Sequence, residues 1–128
     1  MTLVSANSDI TRKPIENRKS ILTVLKFPGG GGLVYCVASA PDTSKDLPGQ
    51  TQDVLDALDA LLIEGGTDRS RIVKAEIVVT DHDRKAEFDA VWSQWVPLDC
   101  GPVRSFVQSI MPDGDQVEVI LTAALPVA

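Results

Sequence analysis

Gly101-Pro102-Val103-Arg104-Ser105-Phe106 opens as a turn and continues as a strand. Gly101 and Pro102 break whatever precedes them. From Val103 the side chains alternate, so that Val103, Ser105 and Val107 share one face and Arg104, Phe106 and Gln108 the other. An arginine therefore stands beside a bulky aromatic on an apolar strand. A guanidinium is charged at every physiological pH, and placing it on a sheet surface is costly without an anionic partner. Two partners are open on residue chemistry alone: a bound anion, or a structural salt bridge such as one to Glu118 across a subunit boundary.

Downstream, Pro112, Asp113, Gly114 and Asp115 form a turn between strands expected over Val103–Ile110 and Gln116–Ala124. The last strand is apolar on both faces. A single layer of helices buries only one face of a sheet, so the other needs a cover, and self-association would supply it. Upstream, Phe88, Val91, Trp92, Trp95 and Val96 fall at helical spacing, with Asp81 or Asp83 as N-cap and Pro97 as terminator. The spacing makes at least one of the two tryptophans a core residue. Ile72–Thr80 alternates as a strand. Val54, Leu55, Leu58, Leu61 and Leu62 make one apolar helical stripe, with Gln50, Thr51 and Gln52 in the first turn and Gly65 and Gly66 closing the end.

Nearer the N-terminus, Ile21–Phe27 and Leu33–Ala38 read as a hairpin around Pro28 and the four glycines Gly29–Gly32. A glycine run of this kind invites a phosphate-loop reading, but a phosphate cradle needs a helix directly after the loop, and a strand follows here. Ile10–Ile15 is expected to be a short edge strand, because Pro14 lacks an N–H. Residues 1–9 are expected to be flexible and 10–128 to form one domain. The order is β-β-β-α-β-α-β-β, an α+β fold with a mixed sheet and both helices on one side.

Composition limits the function. The 128 residues are enough for a core, and 44% hydrophobic with 23% charged residues is ordinary for a globular chain. Eighteen acids against twelve bases give a net charge of −6, which argues against nucleic acid as a partner. No apolar run is long enough to span a membrane, and the first twenty residues lack a signal-peptide core. Cys36 and Cys100 fit no metal spacing, so a cytoplasmic chain with two free thiols, no metal and no cofactor is expected.

Four segments in order resemble the RidA (YjgF/YER057c/UK114) family: Val34–Pro41, Gln50-Thr51, Val73–Asp81 and Pro102–Ser105. Trp92 and Trp95 mark a divergent branch. The resemblance implies a chorismate-mutase-like fold, a homotrimer whose sheets form a central barrel, and ligand clefts between subunits. It implies that Arg104 binds a substrate carboxylate and that the chemistry is hydrolysis of amino-acid-derived enamines or imines to 2-oxoacids and ammonia. Several positions depart from the family. Its Ser-Gly-Gln segment is here Val37-Ala38-Ser39, its glutamate falls at Ile120, its asparagine at Asp89 and its cysteine at Phe106; its N-terminal tyrosine has no clear counterpart.

The expected site is therefore Arg104 as catalytic anchor, with Ser39, Asp89, Trp92 and Phe106 around a small carboxylate-bearing molecule. The alternatives are a small-carboxylate binding or regulatory protein that has lost catalysis, and a specialised biosynthetic enzyme with a pocket shaped by Phe106 and Trp92. His82, in Asp81-His82-Asp83, suits a capping turn better than a metal site, and Cys100 lacks a histidine base close in sequence to make it a nucleophile.

Overall fold

The computed structural model describes residues 2–127. Among them seven strands form one mixed sheet: β1 (Val4–Asn7), β2 (Ile10–Glu16), β3 (Lys19–Lys26), β4 (Gly32–Ser39), β5 (Ile72–Val79), β6 (Val103–Gln108) and β7 (Val117–Leu125). Two helices, α1 (Leu47–Glu64) and α2 (Lys85–Trp95), connect β4 to β5 and β5 to β6. Across the sheet the order is β1-β2-β3-β4-β7-β5-β6. β7 returns to lie antiparallel between β4 and β5, and β6 runs parallel to β5 at the edge. This is the α+β mixed sheet with two helices that the residue pattern implies.

The N-terminus departs from expectation. Residues 4–7 are not a loose end but strand β1, paired with β2 at Val4↔Arg12 and Asn7↔Ile10. β2 is consequently an inner strand. Pro14 is still accommodated, because β1 pairs no further along than Arg12 and the β2–β3 register shifts on both sides of Pro14↔Ser20.

α1 begins at Leu47, earlier than the apolar stripe alone suggests. The Asp46 carboxylate accepts the Gly49 N–H at 3.0 Å, and Pro48 sits in the first turn, where a missing N–H costs nothing. Gln50 is fully buried at this start. Its amide donates to the carbonyls of Lys45 and Gly114, and its oxygen accepts the Gln116 N–H at 2.8 Å, tying the helix to the β6–β7 loop. The stripe Val54, Leu55, Leu58, Leu61 and Leu62 is buried as expected, each side chain worth about 1.5–3 kcal/mol of transfer free energy. Gly66, at φ +92, takes the left-handed conformation that ends the helix.

α2 is capped differently from the sequence reading. The Asp81 carboxylate accepts the Asp83 N–H within a 3-10 turn, His82–Arg84, and α2 starts only at Lys85, without a side-chain cap. Val96 is extended, as the residue before Pro97 must be. Both tryptophans are buried.

On the helix side of the sheet, Leu22, Val34, Cys36, Ala75, Ile77, Val117, Val119 and Leu121 are buried. An irregularity between Ile72 and Lys74 turns Val73 out of that layer, while Ala75, Ile77 and Val79 stay in it. The opposite, open face carries Tyr35, Val37, Val78, Val107 and Ile120, all at least partly exposed. Among the described residues nothing covers it.

Candidate functional site

Arg104 lies on edge strand β6, in register with Ala75 on β5, and shares its face with Phe106 and Gln108. The face is the helix side, because Ala75 is buried there. α2 therefore supplies its neighbours. Arg104 Nη1 donates to Asp89 Oδ1 at 2.6 Å, and Lys85 Nζ donates to Asp89 Oδ2 at 2.9 Å. Lys85 and Asp89 are four residues apart on α2 and so adjacent on its surface. One carboxylate is shared by two cations, a cluster of net charge +1.

Aromatic rings surround the guanidinium. Its Cζ lies 5.4 Å from the Phe106 centroid, 5.7 Å from Trp92 and 5.9 Å from Phe88. Phe88 and Trp92 stack at 5.8 Å, Phe88 meets Phe106 edge-on at 5.4 Å, and the His82 ring stands against Phe106 at 5.2 Å. The positive charge is held by ring faces as well as by Asp89, each such contact worth about 0.5–2 kcal/mol. The Arg104 side chain is 20% exposed and Asp89 35%. Partial burial pushes the Asp89 carboxyl up, but the hydrogen bonds from Arg104 and then Lys85 outweigh it and hold the group below the usual carboxylate value. Among the described residues, Nη1 is the guanidinium nitrogen with a hydrogen-bond partner; Nε and Nη2 have none.

Of the residues expected at the site, Arg104, Asp89, Trp92 and Phe106 meet. Trp92 packs beneath the guanidinium as core. Within one chain Ser39 does not join them: it ends β4 on the open face, opposite Glu118 of β7, and borders a hollow of about 710 Å³ with Val107, Met111 and Asp115. The expected alternative partner, Glu118, is likewise out of Arg104's reach within one chain. It sits opposite Val78 on β5, on the face Arg104 turns away from. Lys85 and Phe88 were not anticipated as partners, although Lys85-x-x-x-Asp89 and Phe88-x-x-x-Trp92 spacings mark them as neighbours on one helix.

Val37 and Ile120 are direct cross-strand partners on the open face. With Ile21, Thr23 and Tyr35 they line a groove of about 260 Å³. This wall is apolar where the family resemblance puts a serine and a glutamate. Cys36, buried behind it, has its thiol pushed up to about 12 by desolvation, which makes it inert as a nucleophile. The Asp81 carboxylate next to His82 is occupied in its capping turn. No cluster of three or more histidine, cysteine or acidic side chains is placed to hold a metal ion among the described residues, and no helix there is long and apolar enough to cross a membrane.

Comparison with known proteins places the chain in a family. The family model described as Endoribonuclease L-PSP matches residues 31–125. A RutC family protein of Haemophilus ducreyi is 31% identical over 118 residues, covering 91% of this chain and 97% of that protein. The crystal structure of NMB1025, a YjgF family member from Neisseria meningitidis, superposes with a TM-score of 0.81 at 27% identity, over 94% of this chain and 98% of that one. The Mycobacterium tuberculosis protein Rv2704, of the YjgF/YER057c/UK114 family, shares the fold with a TM-score of 0.71 at 24% identity, over 89% and 98% of the two chains. The chain belongs to the Endoribonuclease L-PSP family, the group of RutC, YjgF and RidA proteins.

Proposed function

We propose that this chain is a small-molecule enzyme that works as a homotrimer in the cytoplasm and hydrolyses the C=N bond of a carboxylate-bearing imine or enamine, with Arg104 anchoring the carboxylate. The observation that carries this reading is the state of the guanidinium: Nη1 already holds a carboxylate, Asp89, while Nε and Nη2 carry no partner, so donors remain for a ligand carboxylate. The cluster's net positive charge favours an anion. Arg104 faces the helix side at one sheet edge, whereas the Val37–Ile120 wall faces the open side. One chain cannot bring both to one ligand, so the reading needs a second copy. The apolar residues exposed along β6 and just beyond it, Val103, Val107 and Ile110, supply a surface for that copy.

The reaction adds water to the C=N carbon. The nitrogen takes up protons as the C–N bond breaks, leaving a 2-oxoacid and ammonia. Holding the carboxylate fixes the plane of the imine, and positioning a labile bond beside an ordered water supplies much of the acceleration needed. Ribonuclease action, suggested by the family model's description, suits this chain less: its net charge of −6 opposes a polyanionic substrate.

A second reading, binding without turnover, is favoured by the Val37–Ile120 pair, which leaves that wall without a group to activate water. One experiment separates the two. Purified protein is added to 2-iminobutanoate generated in situ, and imine loss is followed beside calorimetric titration with 2-oxobutanoate. Faster imine loss that disappears in Arg104→Ala supports hydrolysis. Binding without faster loss, again abolished in Arg104→Ala, supports the second reading. Neither binding nor rate enhancement rejects both.

A further inference from the structure

We propose that Asp89 is a built-in carboxylate that competes with the ligand for Arg104, and that Lys85 is the side chain that holds Asp89 when the ligand displaces it. This rests on the reading of Arg104 as the anchor. A ligand carboxylate that grips the Nη1–Nη2 fork of the guanidinium needs the nitrogen that Asp89 holds at 2.6 Å. Asp89 is no rigid scaffold: it is 35% exposed and its second oxygen is already on Lys85 Nζ at 2.9 Å. Breaking the contact to Arg104 therefore leaves the displaced charge partnered rather than stranded.

The geometry makes the two contacts unequal. Arg104 is hemmed in by Phe88, Trp92 and Phe106 and has little freedom to move. Lys85 is 44% exposed on a flexible stem, with Nζ 5.6 Å from the Phe106 centroid. Asp89 can follow Lys85 outward while Arg104 stays in place. A site whose competent state is only a fraction of the population binds with an affinity reduced by that fraction. Asp89 thus sets the affinity for small carboxylates, and Lys85 sets how much of that affinity is recovered.

Calorimetry with 2-oxobutanoate on the whole protein tests this in four variants. Asp89→Asn removes the competing charge and keeps the size; it should tighten binding about tenfold, as expected if Arg104 is mostly occupied by Asp89. Asp89→Ser should tighten it in the same direction and guards against an asparagine amide that bonds Arg104 anew. Lys85→Gln should weaken binding in the native background and have little effect in the Asp89→Asn background, a coupling that a merely structural lysine would not produce. Unchanged or weaker binding in both Asp89 variants, with circular dichroism and melting preserved, overturns the proposal, as does an effect of Lys85→Gln that is the same in both backgrounds. Arg104→Ala separates this from the underlying reading: if it leaves binding intact, the anchor itself is wrong.

Discussion

The two faces of the sheet treat their polar and apolar groups in opposite ways. At the β6 edge on the helix side, every charge has a partner in its own chain: Arg104 and Lys85 share Asp89, and three rings enclose the guanidinium. On the open face, the apolar pair Val37 and Ile120 and the residues Val103 and Val107 have no covering layer. The helix-side edge pairs its charges within the chain, and the open face is hydrophobically incomplete. Apolar surface is the part that a second copy can bury profitably, whereas a guanidinium already holding Asp89 at 20% exposure gains less from a ligand that takes the same nitrogen.

The largest effect expected follows from that incompleteness. Val107→Glu places a charge on the open face of β6, at a residue 49% exposed in the single chain. Burying an unpaired carboxylate between subunits is prohibitive, so the variant should sediment as a single chain, whereas the native protein, on the proposed trimer, should sediment as three. If the native protein is itself a single chain, or the variant assembles unchanged, the open face is not an interface. A milder pair sharpens the same comparison. Leu58→Ala, in the fully buried stripe of α1, should cost about 2–5 kcal/mol by urea denaturation. Val103→Ala, 75% exposed, should cost within about 0.5 kcal/mol if its surroundings stay wet. A Val103→Ala cost approaching that of Leu58→Ala would mean that a partner buries the residue.

The helix side should yield less. Arg104→Ala removes the cation–ring contacts and leaves Asp89 to Lys85 alone, a loss of about 1–2 kcal/mol, while abolishing carboxylate binding. A stability loss without a binding loss would reduce Arg104 to a structural group.

These contrasts were unevenly visible in the residue pattern. The alternation in Ile72–Val79 and Val117–Leu125 and the leucine stripe of α1 are local periodicities, and they give the elements and most of the buried faces; Val73, which strict alternation would bury with Ala75, is turned out by the irregularity before Lys74. Strand order is not local. That β7 returns between β4 and β5, and that β1 shields β2, depend on pairings between distant segments that no single stretch encodes. The same limit applies at the site. Arg104, Phe106 and Gln108 do share one face, but which face this is depends on the orientation of β5, so the partner within the chain, Asp89, is not legible in the strand alone. Ser39 is grouped with Arg104 by resemblance, in a cleft between subunits; within one chain, cross-strand register sets it opposite Glu118.

A small effect tests the helix-side half most directly, through its charge. Asp89 has a folded pKa held below its unfolded value near 3.9, so ionisation of this group contributes stability that is fully present above the unfolded value and lost as pH falls through the folded one. Asp89→Asn has no such group. The urea midpoint of the native protein should therefore exceed that of the variant by a steady margin from about pH 7 down to about pH 5, and the margin should shrink between about pH 4 and the folded pKa. The margin itself should stay below about 1 kcal/mol, because Asp89 is partly exposed and solvent screens its pairs. A margin that stays undiminished at every pH below about 4 at which the protein remains folded would assign the effect to side-chain packing rather than charge. In that case the contact between Asp89 and Arg104 would be a matter of shape, and the electrostatic self-sufficiency of this face would lose its main support.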